Sequence, residues 1–302
     1  MKNTTYYKFA FAKFLKNKPS DEDMSILRMR DNYDIEFPRS DEESTLANAM
    51  REENLFRRYG TVIENTTNPE GTILVSNSTA KAGITKEGAL FPNTNKDFTE
   101  TRFGSHKLGL LMRVKKDFVN DAGFDFQDYA YTEFGKRFGR AEEDIGLNGT
   151  GVDQPKGLLH TASVGATASA LTYDAIIKLY FSVSAEHRKN SVFVMNDETA
   201  YVLRSLKDAN GNYLWNTTND TILGKQVVIS NYMADKSKPV VFGDLSYFWT
   251  IIRRPLALRI LEETYAGYDE YGYIAHERLD FKLVRSDAVK VLKLDLEEVM
   301  AQ

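Results

Sequence analysis

The sequence predicts an α+β fold, and three observations carry that prediction. Residues 125–147 repeat apolar side chains at helical spacing over an unusual length. From Thr172 onward the chain alternates helix-like and strand-like pieces, then ends in a strand-rich tail from Tyr247 to Leu296. Residues 65–103 are rich in Thr, Asn, Gly and Lys, with strand-like stretches at 72–75 and 97–103 but little that could build a core.

Taken in order, the first forty-odd residues are polar and charged. Their aromatic opening (Tyr6, Tyr7, Phe9, Phe11, Phe14) is interrupted by Lys8, Lys13 and Lys16. Pro19-Ser20-Asp21-Glu22-Asp23 has the form of a helix start, with carboxylates placed favourably for the first-turn dipole, and Pro38-Arg39-Ser40-Asp41 breaks the pattern. This segment reads equally as an arm ordered against a neighbour or as a flexible terminus. Leu46, Met50, Leu55, Phe56 and Tyr59 fit one helix over 45–59; Gly60 ends it and Thr61-Val62-Ile63 reads as a strand. The 65–103 excursion is long for a compact domain, so it reads as a two-stranded loop reaching onto a neighbouring subunit, with a floppy insertion as the alternative.

An apolar strand follows at 107–114. Asp125 is placed to cap a helix whose inner stripe is Phe126, Tyr129, Ala130, Phe134, Phe138, Ala141 and Ile145. Its other face carries Glu133, Lys136, Arg137, Arg140 and Glu143, and its length is roughly 34 Å at 1.5 Å per residue. Asn148-Gly149-Thr150-Gly151 stops it. Helices are expected at 172–184 and from the Asn196-Asp197 cap through Leu206, with strands at 191–195, 227–230 and 239–242 and a turn at 208–212.

Composition excludes several classes. Among 302 residues, 42% are hydrophobic and 27% charged, the balance of a globular chain. A formal net charge of -4 is not that of a protein that grips nucleic acid by bulk charge. There are no cysteines, so disulfides, thiolate metal sites and thiol nucleophiles are absent. No stretch approaches the roughly 18 apolar residues of a membrane helix, and the opening has no signal-peptide cleavage pattern.

Candidate chemistry fails on spacing. His106, His160, His187 and His276 have no metal-ligand spacing and read as surface or interface residues. Glu142-Glu143-Asp144 could suggest acid–base carboxylates, but adjacent helix positions point apart, so a solvated face is expected. Gly149-Thr150-Gly151 lacks the rest of a dinucleotide or phosphate loop, and the 208–219 stretch has Asn219 where a calcium loop needs Glu. No enzyme activity, cofactor or metal is expected.

Several segments together resemble the major capsid proteins of tailed bacteriophages, which share the Hong Kong 97-like fold. Ala141-Glu142-Glu143-Asp144-Ile145-Gly146-Leu147-Asn148-Gly149-Thr150-Gly151 with Gln154-Pro155-Lys156-Gly157-Leu158-Leu159 is similar to the end of that family's spine helix. Val194-Met195-Asn196-Asp197, Leu203, Lys207-Asp208 and Gly211-Asn212-Tyr213-Leu214-Trp215 resemble its axial-domain run. Leu223-Gly224-Lys225-Gln226-Val227-Val228-Ile229-Ser230 matches a family strand, with Gln226 where proline is usual. Phe242-Gly243-Asp244-Leu245 and Glu277-Arg278-Leu279-Asp280 match a turn and a late strand. Each motif is weak alone; their order over roughly residues 45–296 is fairly specific.

The resemblance implies an architecture. Residues 1–45 would form an N-terminal arm and 65–104 an extended E-loop. A peripheral domain would comprise 46–64 and 105–158, with its spine helix at 125–147, and an axial domain would span 159–261. Residues 262–281 would be peripheral strands, and 282–302 a C-terminal strand returning to the axial domain. The implied function is self-assembly into hexamers and pentamers of an icosahedral shell around double-stranded DNA held without sequence-specific contact. Portal, scaffolding or decoration proteins are possible partners, and no membrane is involved. The virion would be the destination, after assembly in the host bacterial cytoplasm. The alternative is an encapsulin-like compartment with an enzyme cargo.

Many relatives carry a scaffolding segment ahead of the arm, whereas this chain begins at the arm; removal of that segment and use of separate scaffolding are both open. Within this architecture the candidate inter-subunit contacts are Lys81, Lys86 and Phe91 in the loop, Arg137 and Arg140 on the spine helix, and Glu277 and Arg278 on the late strand. Phe91 falls where the founding phage has a cross-linking lysine, Asp269 near its asparagine and His276 at its buried glutamate, so no isopeptide cross-link is expected. Lys86, a few residues from Phe91, is the nearest substitute amine.

Overall fold

The computed structural model describes residues 40–64, 71–76, 84–85, 87, 98–121, 126–207, 213, 215 and 220–295. The helix start at 19–23, the Asp125 cap, the turn at 208–212 and most of the 77–97 stretch lie outside the described residues.

In chain order the structure begins with α1 (Ser40–Glu53), α2 (Leu55–Tyr59), β1 (Thr61–Glu64), β2 (Gly71–Ser76) and β3 (Phe98–Phe103). There follow β4 (His106–Lys115), α3 (Lys116–Asp121), α4 (Phe126–Asn148), α5 (Leu158–Thr161), β5 (Ser163–Ala168), α6 (Tyr173–Ser182) and α7 (Ala185–Arg188). Next come β6 (Val192–Met195), α8 (Asp197–Ser205), β7 (Thr221–Ile222), β8 (Lys225–Ile229) and β9 (Val240–Gly243). A 3₁₀ turn (Leu245–Tyr247), β10 (Phe248–Leu261), a second 3₁₀ turn (Ala266–Tyr268), β11 (Glu270–Leu283) and β12 (Val289–Leu294) complete the order.

The chain divides into two compact units. Among the described residues the larger holds 40–108, 127–255 and 277–295, and the smaller 109–121, 126 and 256–276.

The larger unit is organised by a six-stranded mixed sheet in the order β5-β12-β9-β6-β8-β7. β12 runs parallel to β5 and antiparallel to β9, while β6 is antiparallel to β9 and parallel to β8. The central strands β6 and β9 are buried at every position, which explains their unbroken apolar sequences Val-Phe-Val-Met and Val-Val-Phe. Because side chains alternate across a strand, these residues sort into two cores. Val192, Val194, Val241, Val289 and Val291 pack with Leu55, Phe56, Leu147, Phe248 and Phe281. Phe193, Met195, Val240, Phe242 and Leu292 pack with Ile176, Leu179, Ala200 and Leu203 from α6 and α8.

Both of those helices start on a side-chain cap, of which the Asn196 cap was expected from the sequence. Thr172 Oγ1 accepts from the Ala175 amide at 3.2 Å, and Asn196 Oδ1 from the Thr199 amide at 2.8 Å. At the end of β9, a Cβ on Gly243 would stand 2.3 Å from the Ala288 carbonyl oxygen, so only glycine lets β12 run this close. The adjoining Asp244 accepts from the Ser246 amide at 3.0 Å and turns the chain into β10.

The expected single helix over 45–59 is two helices. Asn54 takes an extended backbone (φ -130°, ψ 113°), and its Oδ1 accepts from the Phe56 and Arg57 amides, starting α2 afresh. Ser40 begins α1, so the expected boundary at residue 45 falls inside a helix.

α4 matches the expected long helix to within a residue at each end, but its buried face is partly different. Tyr129 is exposed, whereas Tyr131, Glu142 and Glu143 are buried. α1 packs on α4 through Leu46, Ala49 and Met50, which meet Gly135 and Gly139: a Cβ on Gly135 would lie 2.8 Å from Ala49 Cβ, and one on Gly139 2.8 Å from the Met50 carbonyl oxygen. β2 and β3 form an antiparallel ribbon from Gly71↔Phe103 to Ser76↔Phe98. A second sheet has the order β1-β10-β11-β4, with β1 parallel to β10 from Thr61↔Trp249 to Glu64↔Ile252.

The smaller unit is held more by rings and cations than by an aliphatic core. The Phe126 ring meets Phe118 edge-on at 6.0 Å and Tyr273 at 5.5 Å. The Arg113 guanidinium pairs with Glu270 and lies 4.8 Å and 5.2 Å from the Tyr265 and Tyr268 ring centroids. Asp269, in the left-handed conformation at φ 55°, ends the second 3₁₀ turn, and its carbonyl accepts from the Lys116 amide at 3.0 Å.

Candidate functional site

The charged chemistry of the larger unit is concentrated at the start of α2. Asn54 caps that helix with its Oδ1 and donates its Nδ2 to Glu142 Oε2 at 2.7 Å. One turn on, Arg57 donates from Nε and Nη2 to the two Glu142 oxygens, at 2.6 Å each. Glu143 accepts from the Leu55 amide at 2.7 Å and from Ser230 Oγ at 2.6 Å. Two adjacent carboxylates on α4 therefore serve the first amide, the cap side chain and the cation of one short helix.

Glu142 is 0% and Glu143 5% exposed, which overturns the expected solvated face. Adjacent positions on α4 do point apart, as expected, but both directions lead into protein: Glu142 toward Arg57, Glu143 toward Ser230. Asp144 alone of the three is exposed. Glu277 of β11 also faces this cluster, 0% exposed, with Oε2 3.8 Å from Arg57 Nη2. Neither Glu277 oxygen accepts a hydrogen bond.

Burial pushes the Glu277 carboxyl well above the usual range; the Glu142 charge pushes the same way and Arg57 opposes it. Burial likewise raises Glu143, against the hydrogen bonds from Ser230 and Leu55. For Arg57, burial alone would favour the neutral form, but the charge and hydrogen bonds of Glu142, with Glu277 and Glu64 behind them, hold it firmly cationic.

The residues expected to contact neighbouring subunits fare differently. Lys81, Lys86 and Phe91 lie outside the described residues. Arg137 and Arg140 are on the accessible side of α4 but already engage their own chain: Arg137 pairs with Glu133 one turn back at 2.8 Å. Arg140 grips Glu53 of α1 through Nε at 2.8 Å and Nη2 at 3.0 Å. Arg278 is exposed. Glu277 departs from the expectation, because its side chain is enclosed by its own subunit rather than presented to another.

His187 is likewise buried, contrary to its surface reading; its ring packs edge-on against Tyr247 at 4.8 Å, with Nε2 3.4 Å from Asp287 Oδ2. His106, His160 and His276 retain some exposure. Asp269 and His276, the positions matched to the cross-linking asparagine and glutamate, both belong to the smaller unit. Among the described residues no group of three or more His, Asp or Glu is placed to hold a metal ion, and no helix is long and apolar enough to cross a membrane.

Among the large apolar side chains left on the surface of the larger unit, two groups stand together. On the β2–β3 ribbon, Leu74 and Phe98 sit on the same outward face as diagonal neighbours, each 62% exposed. On α8, Tyr201 and Val202 are exposed, as is Tyr213 beyond it, with the Lys207 ammonium over the Tyr213 ring.

Sequence reasoning missed the Asn54 cluster, although one signal was available. Asn is a strong cap residue set within a helical apolar pattern, and Leu55-Phe56 directly after it restarts that pattern.

The fold is that of viral shell proteins. It superposes on the capsid protein of an empty GTA particle, computed with C5 symmetry, at TM-score 0.66 and 24% identity, covering 88% of this chain and 94% of that one. The capsid of the native GTA particle gives TM-score 0.64 at 21% identity, over 87% and 93% of the two chains. A structure from Microbacterium phage Oxtober96 gives 0.63 at 18%, over 80% and 91%. No curated protein matches the chain. The match to the phage capsid family spans residues 40–294, and the chain belongs to that family.

Proposed function

We propose that the protein is a major capsid protein that assembles into hexamers and pentamers of an icosahedral shell enclosing double-stranded DNA. The observation that carries this reading is the family match over residues 40–294, nearly the whole described chain. The fivefold symmetry of the GTA capsid offers a model for the pentamers. Exposed Leu74 and Phe98 on the ribbon, and Tyr201, Val202 and Tyr213 around α8, supply apolar area for subunit contacts. Combined interfaces should exceed the roughly 1,600 Å² of a standard pair contact. Rings built head-to-tail close at five or six copies. In this reading 1–45 is the arm, 65–104 the E-loop, 46–64 with 105–158 and 262–281 the peripheral domain, and 159–261 with 282–302 the axial domain.

The shell is held without covalent cross-links. Phe91 has no nitrogen to attack a carboxamide, and Asp269 offers a carboxylate instead of one. Portal, scaffolding and decoration proteins are its natural partners, and assembly takes place in the host cytoplasm.

Electron microscopy of the purified full-length protein, with absorbance at two wavelengths on the same fraction, tests the proposal. Closed polyhedra containing DNA, which dissolve to single chains in denaturing electrophoresis, are the expected result. Particles filled with protein cargo would favour an encapsulin-like shell, and a chain that stays monomeric at high concentration would overturn the reading.

A further inference from the structure

The cluster at α2 has an unbalanced charge. Arg57 spends its fork on both oxygens of Glu142, leaving Glu277 3.8 Å away with no hydrogen-bond donor. Two enclosed carboxyls thus face one guanidinium. The other charged groups near the cluster do not correct this: Glu64 on β1 adds negative charge near Arg57, while Arg58 and Glu53 bear on Glu143. Asn54, the remaining polar neighbour, is neutral and already gives its Nδ2 to Glu142. An enclosed carboxylate with neither donor nor cation of its own is far more costly than a protonated one, so the arrangement calls for a proton.

We propose that the Glu277 carboxyl, beside Glu142, carries a proton whenever α2 is seated on α4 and β11, so that seating this helix is proton-linked. Arg57 travels with α2. When α2 lifts, the Glu277 carboxyl meets water, returns to ordinary acidity and releases its proton; when α2 seats, one proton is taken up. The sign follows from linkage: a carboxyl whose acidity is weakened in the seated state stabilises that state at low pH, and the benefit is lost as pH rises through its seated-state value. Over that window the opening equilibrium should grow by up to about tenfold per pH unit, the signature of one proton. Glu143 differs from Glu277 in the seated state, because it accepts from Ser230 Oγ and the Leu55 amide and so has the donors that Glu277 lacks.

Two measurements on the full-length protein test this. Infrared spectroscopy at neutral pH should show a protonated-carboxyl band that moves on ¹³C labelling of Glu, vanishes in Glu277→Gln and survives in Glu143→Gln. Hydrogen exchange, corrected for its intrinsic pH dependence, should show α2 amides opening more as pH rises, relative to α6 amides in the same sample. In Glu277→Gln, which imitates the protonated acid, that extra slope should be gone. Should this variant fold poorly, Glu142→Gln serves instead, because a single remaining carboxyl can pair with Arg57 as an anion and needs no proton. Absence of the labelled band in the wild type, or an α2 slope that persists in the variant, would overturn the proposal.

Discussion

Arg57 and Glu142, 85 positions apart in the chain, meet inside the larger unit through two parallel hydrogen bonds of 2.6 Å. The fork-to-carboxylate match joins a five-residue helix to the long helix α4. An isolated helix as short as α2 has no stability of its own, so its existence depends on this pair, on the Asn54 cap and on burial of Leu55 and Phe56.

Removing the cation should therefore be costly. Arg57→Ala leaves Glu142 enclosed without its partner, and breaking a buried pair in this way costs about 3–5 kcal/mol. Arg57→Lys keeps the charge but loses the fork, and should cost less. Urea denaturation of the two variants beside the wild type gives the comparison. Equal losses in both would show that geometry, not charge, makes the pair.

The approach of α1 to α4 rests on glycine. At Gly139 a methyl group would stand 2.8 Å from the Met50 carbonyl oxygen, a backbone atom that cannot rotate aside. Gly139→Ala should destabilise by about 1–3 kcal/mol, although alanine is the better helix former by about 1 kcal/mol in an open site. A melting temperature unchanged or raised in this variant would mean that the helices are free to part.

How much of this was legible beforehand differs from element to element. α6, α8 and α4 were plain in the sequence because local signals agree: Thr172 and Asn196 are cap residues, and apolar positions recur at helical spacing. The two-sided burial of β6 and β9 was legible in their unbroken apolar runs. The buried acids were not. Glu142 and Glu143 look like any charged pair on a helix, and only partners far along the chain make burying them tolerable: Asn54 and Arg57 for Glu142, the Leu55 amide and Ser230 for Glu143. Tyr129 and Tyr131 show the same limit, since a helical wheel places either within reach of the core and tertiary packing chose Tyr131. Glu277 was expected at a subunit contact from its position beside Arg278 in the late-strand motif; strand alternation puts the two on opposite faces, and only Arg278 is exposed.

Acid stability should turn on a different pair. Arg285 donates to Asp287 through Nε at 3.1 Å and Nη2 at 2.7 Å, and these bonds lower the Asp287 carboxyl to about 2. A depressed carboxyl stabilises the fold above its unfolded value, about 3.9, and that contribution disappears as pH falls toward 2. Asp287 is 53% exposed, so solvent screening limits the effect to under about 1 kcal/mol. Thermal melts between those pH values should show Asp287→Asn losing less stability on acidification than the wild type. Glu53, lowered by its bonds from Arg140, should behave with the same sign in Glu53→Gln.

Arg278 and Glu277 separate assembly from folding at neighbouring positions. Arg278 is exposed and Glu277 enclosed, so a charge reversal at the first should leave the subunit's core untouched. If the shell reading is right and this strand meets a neighbouring subunit, Arg278→Glu should melt within about 0.5 kcal/mol of the wild type as a dissociated subunit, yet form fewer closed particles. Glu277→Ala should do the opposite to the fold, removing an enclosed side chain and leaving a void beside Arg57 and Glu142. Sedimentation of assembly reactions, run beside melts of the unassembled chains, reads both quantities. Normal particle yield from Arg278→Glu would remove this residue from the contact surface and leave Arg137 as the next cation to test on the accessible side of α4.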